Sequence, residues 1–387
     1  MSSVENLHAA NRASTPGEDS PEARQYSRIH RWISLSDTSL GIAFLVVILT
    51  TGWTRDFRDI ALRLAHEHYV LALFYYVLLL TLLSKAISIA LDIYSFRLEH
   101  RFHLSNQSTS AWIVDELKGW VVGAVLATLL AELVYWIIRS SQVYWWLFAW
   151  LAFTALFVVF AQLAPVVLFP IFYKFVPLQD QELRDRLVRL SERAGTRIRG
   201  VYEWKLSEKS KKANAALTGL GNTRRIIVAD TLLQNYSHDE IEAVLAHELG
   251  HHVHKHIFKM VLVQMVVTFI GFWAADEVLR YATDQAHWFE RLYDFANLPL
   301  LALVSAGLSL LLLPALNAYS RYNERQADRY CWRSVSNVDP FITAMDKLSV
   351  QNLSEKSPSR LVEILFHSHP PVSKRIAAAR QFANARA

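Results

Sequence analysis

The sequence predicts an α-helical protein that crosses a membrane about six times and carries a mostly helical domain with a small β-hairpin. Three observations lead there. Long apolar runs recur along 387 residues that are 52% hydrophobic and include 12 Trp, and runs of that length are what a bilayer selects. A charged, mixed block of soluble character, residues 173–256, interrupts them after the fourth run. Near its end stands Ala246-His247-Glu248-Leu249-Gly250-His251, the pattern H-E-x-x-H.

Charge and cysteine content narrow the classes. The net charge is +5, with Lys and Arg crowded beside the apolar runs. That pattern serves membrane orientation, and no nucleic-acid partner is expected. Cys331 is the one cysteine, so no internal disulfide forms. No cleavable signal peptide is read, because the first apolar run starts near Leu40 behind a polar stretch.

Taken in order, residues 1–30 are polar, Ser-rich and without apolar periodicity, and are expected to be a disordered leader. Residues 31–172 form the first membrane domain. Its runs are 40–53, which must recruit residues from Ile33 onward, then 68–93, 120–138 and 144–172. Trp clusters where the fourth begins, as in an aromatic belt. Within 173–256, residues 181–194 have helical periodicity and 199–204 read as a strand. Residues 212–218 and 224–229 read as a β-hairpin turning at 219–223. Residues 257–316 hold two further spans, 257–275 and 298–316, and 317–387 are again soluble and helical. The Lys and Arg bias near span ends (Arg24, Arg28, Arg31, Arg97, Arg101 and Lys118 among them) assigns both termini and the soluble block to the cytoplasmic side.

The chemistry lies in the H-E-x-x-H helix. Histidines four apart share one helix face, so His247 and His251 can reach a single Zn²⁺. Glu248 then stands beside the metal, placed to take a proton from the attacking water. Ser237 and Glu240 form a capping box that starts the helix. Gly250 leaves room close to the metal. A zinc hydrolase needs a third protein ligand. After the sixth run, Glu324 and Asp328 stand one helical turn apart. Glu324 suits the ligand role, and Asp328 suits holding a ligand histidine by its free ring nitrogen. If helical, His251 is about 9 Å of rise from Ile257, and Glu324 about 12 Å from Leu316. Both then hang from span ends at the membrane surface. His252, His254 and His256 are read as surface or interfacial histidines.

These residues and others carry a resemblance. Phe169 to Leu178, Asn214-Ala215 through Gly219, Asn222 to Leu233, Ala246 to His251, Asn317 to Asp328, and Ser368-His369-Pro370-Pro371 with Arg375 resemble the type I CAAX prenyl endopeptidase family of integral-membrane zinc metalloproteases. The heat-shock membrane protease HtpX is a more distant sibling. The match runs from about residue 30 to 380. It implies a gluzincin-type protease domain on six to seven spans around a water-filled chamber, to which Lys85, Asp92, Glu132 and Gln162 would be suited. Eukaryotic members have seven spans, and a break before Pro165 or Pro170 would supply the extra one. It implies one Zn²⁺ on His247, His251 and Glu324, with Glu248 as base. The strand at Asn214 and Ala215 would pair with an extended substrate. His369 and Arg375 would stabilise the oxyanion or hold the site together. By itself His369 reads as a cap beside a Pro-Pro turn, and Asp92 as a residue snorkelling at a span end.

The expected activity is hydrolysis of peptide bonds in a peptide or protein, including a prenylated C-terminal CAAX peptide. The alternatives are a quality-control protease without a prenyl substrate, and a catalytically silent metal-binding scaffold. The intact His247, Glu248, His251 and Glu324 argue against the scaffold.

Overall fold

The computed structural model describes residues 19–219 and 224–386. Helix α1, Pro21–Thr50, is capped by the Ser20 hydroxyl, which accepts from the Ala23 N–H, with Pro21 in the first turn. It begins well before its apolar run, so the expected leader ends earlier than residue 30. Residues 1–18 lie outside the described residues. The polar start of α1 is held by partners distant in sequence. Tyr26 is buried and donates to Glu99, and Arg31 pairs with Glu355 at 2.7 Å. Ala23, Tyr26, Ile29 and Ile33 also pack with Leu98 and Leu104, a stripe that the charged residues between them obscure in the sequence.

Gly52, at φ 81°, turns the chain into α2, Trp53–Leu64. This amphipathic helix was unforeseen, and a rise of about 18 Å is too short to cross a bilayer. Helices α3, Tyr69–Arg101, and α4, Thr109–Ser140, are the second and third spans. Helix α5, Trp145–Leu163, runs on through a π-helical turn, Ala164–Leu168, as far as Phe172. Pro165 and Pro170 therefore interrupt the regular bonding without breaking the span. In all, six described helices are long and apolar enough to cross a membrane.

Inside the spans, Lys85 reaches Asp92 at 2.7 Å and also pairs with Glu116. Asp92 is paired with Lys85, and α3 continues beyond it to Arg101. One oxygen of Glu132 is buried without a partner, and Gln162 is exposed. Such groups belong in a wet interior.

The soluble part is built on four strands: β1, Phe175–Pro177; β2, Gly200–Trp204; β3, Ala215–Thr218; and β4, Arg225–Ala229. Their order is β1-β2-β4-β3. The central pair is parallel and both outer pairs are antiparallel. The expected hairpin is β3–β4, with Ala215 opposite Val228; residues 220–223 of its turn lie outside the described residues. Strand β1 was not anticipated, being short and ending in a proline, which only an edge tolerates.

Around the sheet lie α6, Gln181–Arg193, α7, Asp230–Asn235, and α8, His238–Val253. The chain then re-enters the apolar layer in α9, His256–Arg280, and returns in α10, Leu298–Ser334, which projects past its apolar run. Helices α11, Asp339–Gln351, α12, Arg360–Phe366, and α13, Val372–Asn384, close the domain. Its core joins Leu183, Leu187, Ile226, Ile241, Leu245 and Phe341. A second core, with Tyr76, Tyr135, Trp145, Leu279 and Phe295, holds the membrane helices together. Spans α9 and α10 are neighbours, as a metal shared by His247, His251 and Glu324 would require.

Candidate metal centre

Helix α8 starts with the capping box expected for it: Ser237 accepts from the Glu240 N–H, and Glu240 accepts from the Ser237 N–H. The helix packs along α10. At Gly250 an added Cβ would meet the Ala327 Cα at 2.8 Å. The room that glycine provides is therefore for the backbone of α10. This close crossing sets His247 and His251 against Glu324.

The three side chains offer ligand atoms that all lie within 4.8 Å of one another. His247 Nε2 and His251 Nε2 are 3.3 Å apart. Each is also 3.3 Å from an oxygen of Glu324. Tetrahedral Zn²⁺ with bonds of 2.0–2.1 Å separates its ligand atoms by about 3.3–3.4 Å. The donor set therefore fits such an ion in both spacing and chemistry. His247 and Glu324 are buried, and His251 is partly exposed.

Behind this cluster stands a polar support. His247 Nδ1 lies 2.9 Å from Asp328 Oδ1, which leaves Nε2 facing the ligand position. Asp328 in turn receives Arg375 through Nε at 2.9 Å and Nη2 at 2.6 Å. Burial opposes an imidazolium at His247, but the bonds from Asp328 and Glu324 outweigh it and lift its pKa to about 9. Arg375 is thus committed to Asp328, one layer behind the ring it supports. His369 Nδ1 lies 2.9 Å from Glu324 Oε2, with its side chain 62% exposed. Both residues grouped as oxyanion candidates line the cavity described below, but Arg375 is nearly buried and paired with Asp328, whereas His369 is exposed.

Glu248, His247, His369, Asn214 and Ala215 line one cavity of about 560 Å³. Strand β3 forms its rim and is the free edge of the sheet. Ala229 N–H donates to Asn214 C=O at 3.0 Å. The alternation of an antiparallel ladder then turns the N–H and C=O of Ala215 outward. The backbone of Leu217, the next outward residue, lies beside the His252 ring.

His252, read as surface or interfacial, is partly exposed. The ring is half-buried, and burial, then Arg224, pushes its pKa down to about 4. His256 departs from expectation. It is 2% exposed and 3.0 Å from His251, nitrogen to nitrogen. The sequence hid it because Lys255 takes a left-handed conformation, φ 55°. A helical count of about 100° per residue would turn position 256 away from position 251; the break swings it back.

Comparison with known proteins gives a consistent result. Residues 177–383 match the model of peptidase family M48. Residues 8–174 match the CAAX prenyl protease N-terminal domain, described as five membrane helices; the described residues of that region hold four membrane-length helices and the short α2. The uncharacterized metalloprotease YhfN of Bacillus subtilis (strain 168) is 30% identical over 368 residues, 94% of this chain and 86% of that protein. CAAX prenyl protease 1 of Saccharomyces cerevisiae is 30% identical over 322 residues, 78% of this chain and 70% of that one. The crystal structure of S. mikatae Ste24p superposes with a TM-score of 0.84 at 24% identity, covering 92% of this chain and 88% of that one. At that identity the likeness is one of fold.

Proposed function

The chain belongs to peptidase family M48, and from that premise we propose that this membrane metalloendopeptidase is a zinc enzyme cleaving peptides near a prenylated C-terminal CAAX sequence. The observation that carries the reading is a single cavity lined by Glu248, the open edge at Ala215 and His247, whose ring also belongs to the His247–His251–Glu324 cluster. The protease part comprises residues 173–256 and 317–387, joined through the spans of 257–316. It faces the cytoplasm together with both termini, a reading supported by the Lys and Arg near span ends.

His247, His251 and Glu324 would hold Zn²⁺, which would supply Lewis acidity at the scissile carbonyl. The substrate lies extended along β3 and bonds to the outward N–H and C=O of Ala215, with the Asn214 side chain beside it. Glu248 takes the proton of the attacking water and returns it to the leaving amine. His369 donates a hydrogen bond to the developing oxyanion. Asp328 holds the His247 ring, and Arg375 holds Asp328, so Arg375 acts as a positioning residue.

One observation favours a second reading, a quality-control protease without a prenyl substrate. The Bacillus relative covers 94% of this chain and is named only as a metalloprotease, whereas the yeast CAAX protease covers 78%. The two readings separate in one assay. Purified protein is given a farnesylated CAAX peptide, the same peptide unmodified, and unfolded casein. Cleavage of the farnesylated peptide alone is expected. Equal cleavage of casein supports the second reading, and zinc-dependent cleavage of none of the three removes both. Glu248→Gln, binding zinc but inactive, is the control.

A further inference from the structure

His256 is the first residue of a membrane span, yet its ring lies in the soluble domain's metal centre. Its Nδ1 is 3.0 Å from His251 Nδ1, and its Nε2 is 2.9 Å from Gln326 Oε1. The Gln326 amide nitrogen donates to the Tyr322 hydroxyl at 2.8 Å. The ring of His254 stacks against His256, centroids 5.5 Å apart at 18°. Three helices thus meet on one imidazole: α8 through His251, α9 through His256 itself, and α10 through Gln326.

The polarity of this chain of bonds can be worked out. An amide oxygen only accepts, so His256 Nε2 carries hydrogen. Its Nδ1 is then a lone pair and accepts from His251 Nδ1–H. A neutral His251 with hydrogen on Nδ1 has its lone pair on Nε2, the atom that faces His247 Nε2 and Glu324 Oε1. The opposite polarity would aim an N–H at the ligand position. Only one direction of the relay lets His251 bind a metal.

We infer that His256 is a positioning residue that fixes the tautomer and rotation of His251, with Gln326 fixing His256. The two ligand histidines are then held unequally. His247 leans on a carboxylate, which raises ligand basicity, whereas His251 leans on a neutral ring. His251 is the softer of the two supports, and it is tied to the point where α9 enters the membrane. The inference rests on His251 being a ligand, and the test reads that premise separately.

Zn²⁺ affinity is measured on purified full-length protein by competition with a chromophoric chelator, without substrate, and the visible spectrum of the Co²⁺-loaded protein is recorded. His256→Phe keeps a ring but removes the acceptor, and is expected to lose about 10–100-fold in affinity and to shift the Co²⁺ bands. His256→Asn places an amide oxygen near the Nδ1 position and should stay close to the parent in both readouts. His256→Gln reaches toward Gln326 and should behave like the Phe variant. Parent-like affinity and spectrum in His256→Phe would overturn the inference. So would equal losses in the Asn and Gln variants, which would mark a packing role; should the Phe variant fail to fold, this pair decides alone. His251→Ala binding zinc as tightly as the parent would instead overturn the ligand assignment.

Discussion

A Cβ on Gly250 would stand 2.8 Å from the Ala327 Cα and 3.0 Å from its carbonyl oxygen, so α8 and α10 touch backbone to backbone beside the candidate ligands His247, His251 and Glu324. Gly250→Ala should therefore be costly although alanine is the better helix former by about 1 kcal/mol. Forcing the helices apart costs about 1–3 kcal/mol and separates both histidines from Glu324. Zinc content and thermal unfolding of the purified variant check this. A more stable protein with full zinc would show that the crossing is looser than described.

The Arg375–Asp328 pair should couple stability to metal binding. Asp328 and Arg375 have side chains 2% and 10% exposed, and removing one partner of such a pair costs about 3–5 kcal/mol. Arg375→Leu is expected to unfold at markedly lower denaturant and to bind zinc weakly. Adding Asp328→Asn should recover part of the stability, since no unpaired charge remains, but should not recover affinity. Chemical denaturation and zinc titration of the single and double variants would separate the two effects.

Ala215→Pro tests the open strand edge. Its N–H points away from β4, so proline breaks no ladder bond, but the donor offered to substrate is gone. One such bond is worth about 0.5–1.5 kcal/mol. The variant should fold and bind zinc while KM rises several-fold, and ring bulk at the edge adds to that. Unchanged KM in a folded variant would argue against strand addition at this residue.

Acid stability should depend on Glu240. It caps α8 and accepts from Lys347 at 2.8 Å. Burial alone would raise its pKa, but Lys347 and the Ser237 N–H bring it below its usual value. A lowered folded-state pKa means the stabilisation is present above the unfolded value, about 4.3, and is lost as pH falls through the folded one. Glu240→Gln should lower stability at pH 7 and flatten its decline below about pH 4.3. Denaturation midpoints for parent and variant across that range would show it; parallel curves would count against the role.

Much of this was legible in the sequence because bilayers and metals impose strict spacing. The apolar runs located the spans, and Ser237, Glu240 and H-E-x-x-H located α8. What escaped was governed by contacts between distant segments or by single backbone torsions. Tyr26 and Arg31 begin α1 with polar partners at Glu99 and Glu355, which no local pattern announces. Gly52 starts α2 and Lys255 redirects His256, each with positive φ. Such torsions break the periodicity on which helix reading depends. Arg375 was visible as a motif residue, but its commitment to Asp328 came from the packing of α13 against α10.

The centre draws on residues made at very different times. His247 and Arg375 are separated by 128 positions, with two membrane spans between them. At about 5–20 residues per second, the ribosome needs roughly 6–25 s to travel that distance. During this interval the H-E-x-x-H helix has been synthesised while Glu324, Asp328 and Arg375 have yet to join it. A nascent protease inserted among other emerging membrane chains is therefore born without a working centre. Glu324, Asp328 and Arg375 can join His247 only after the last two spans have been made.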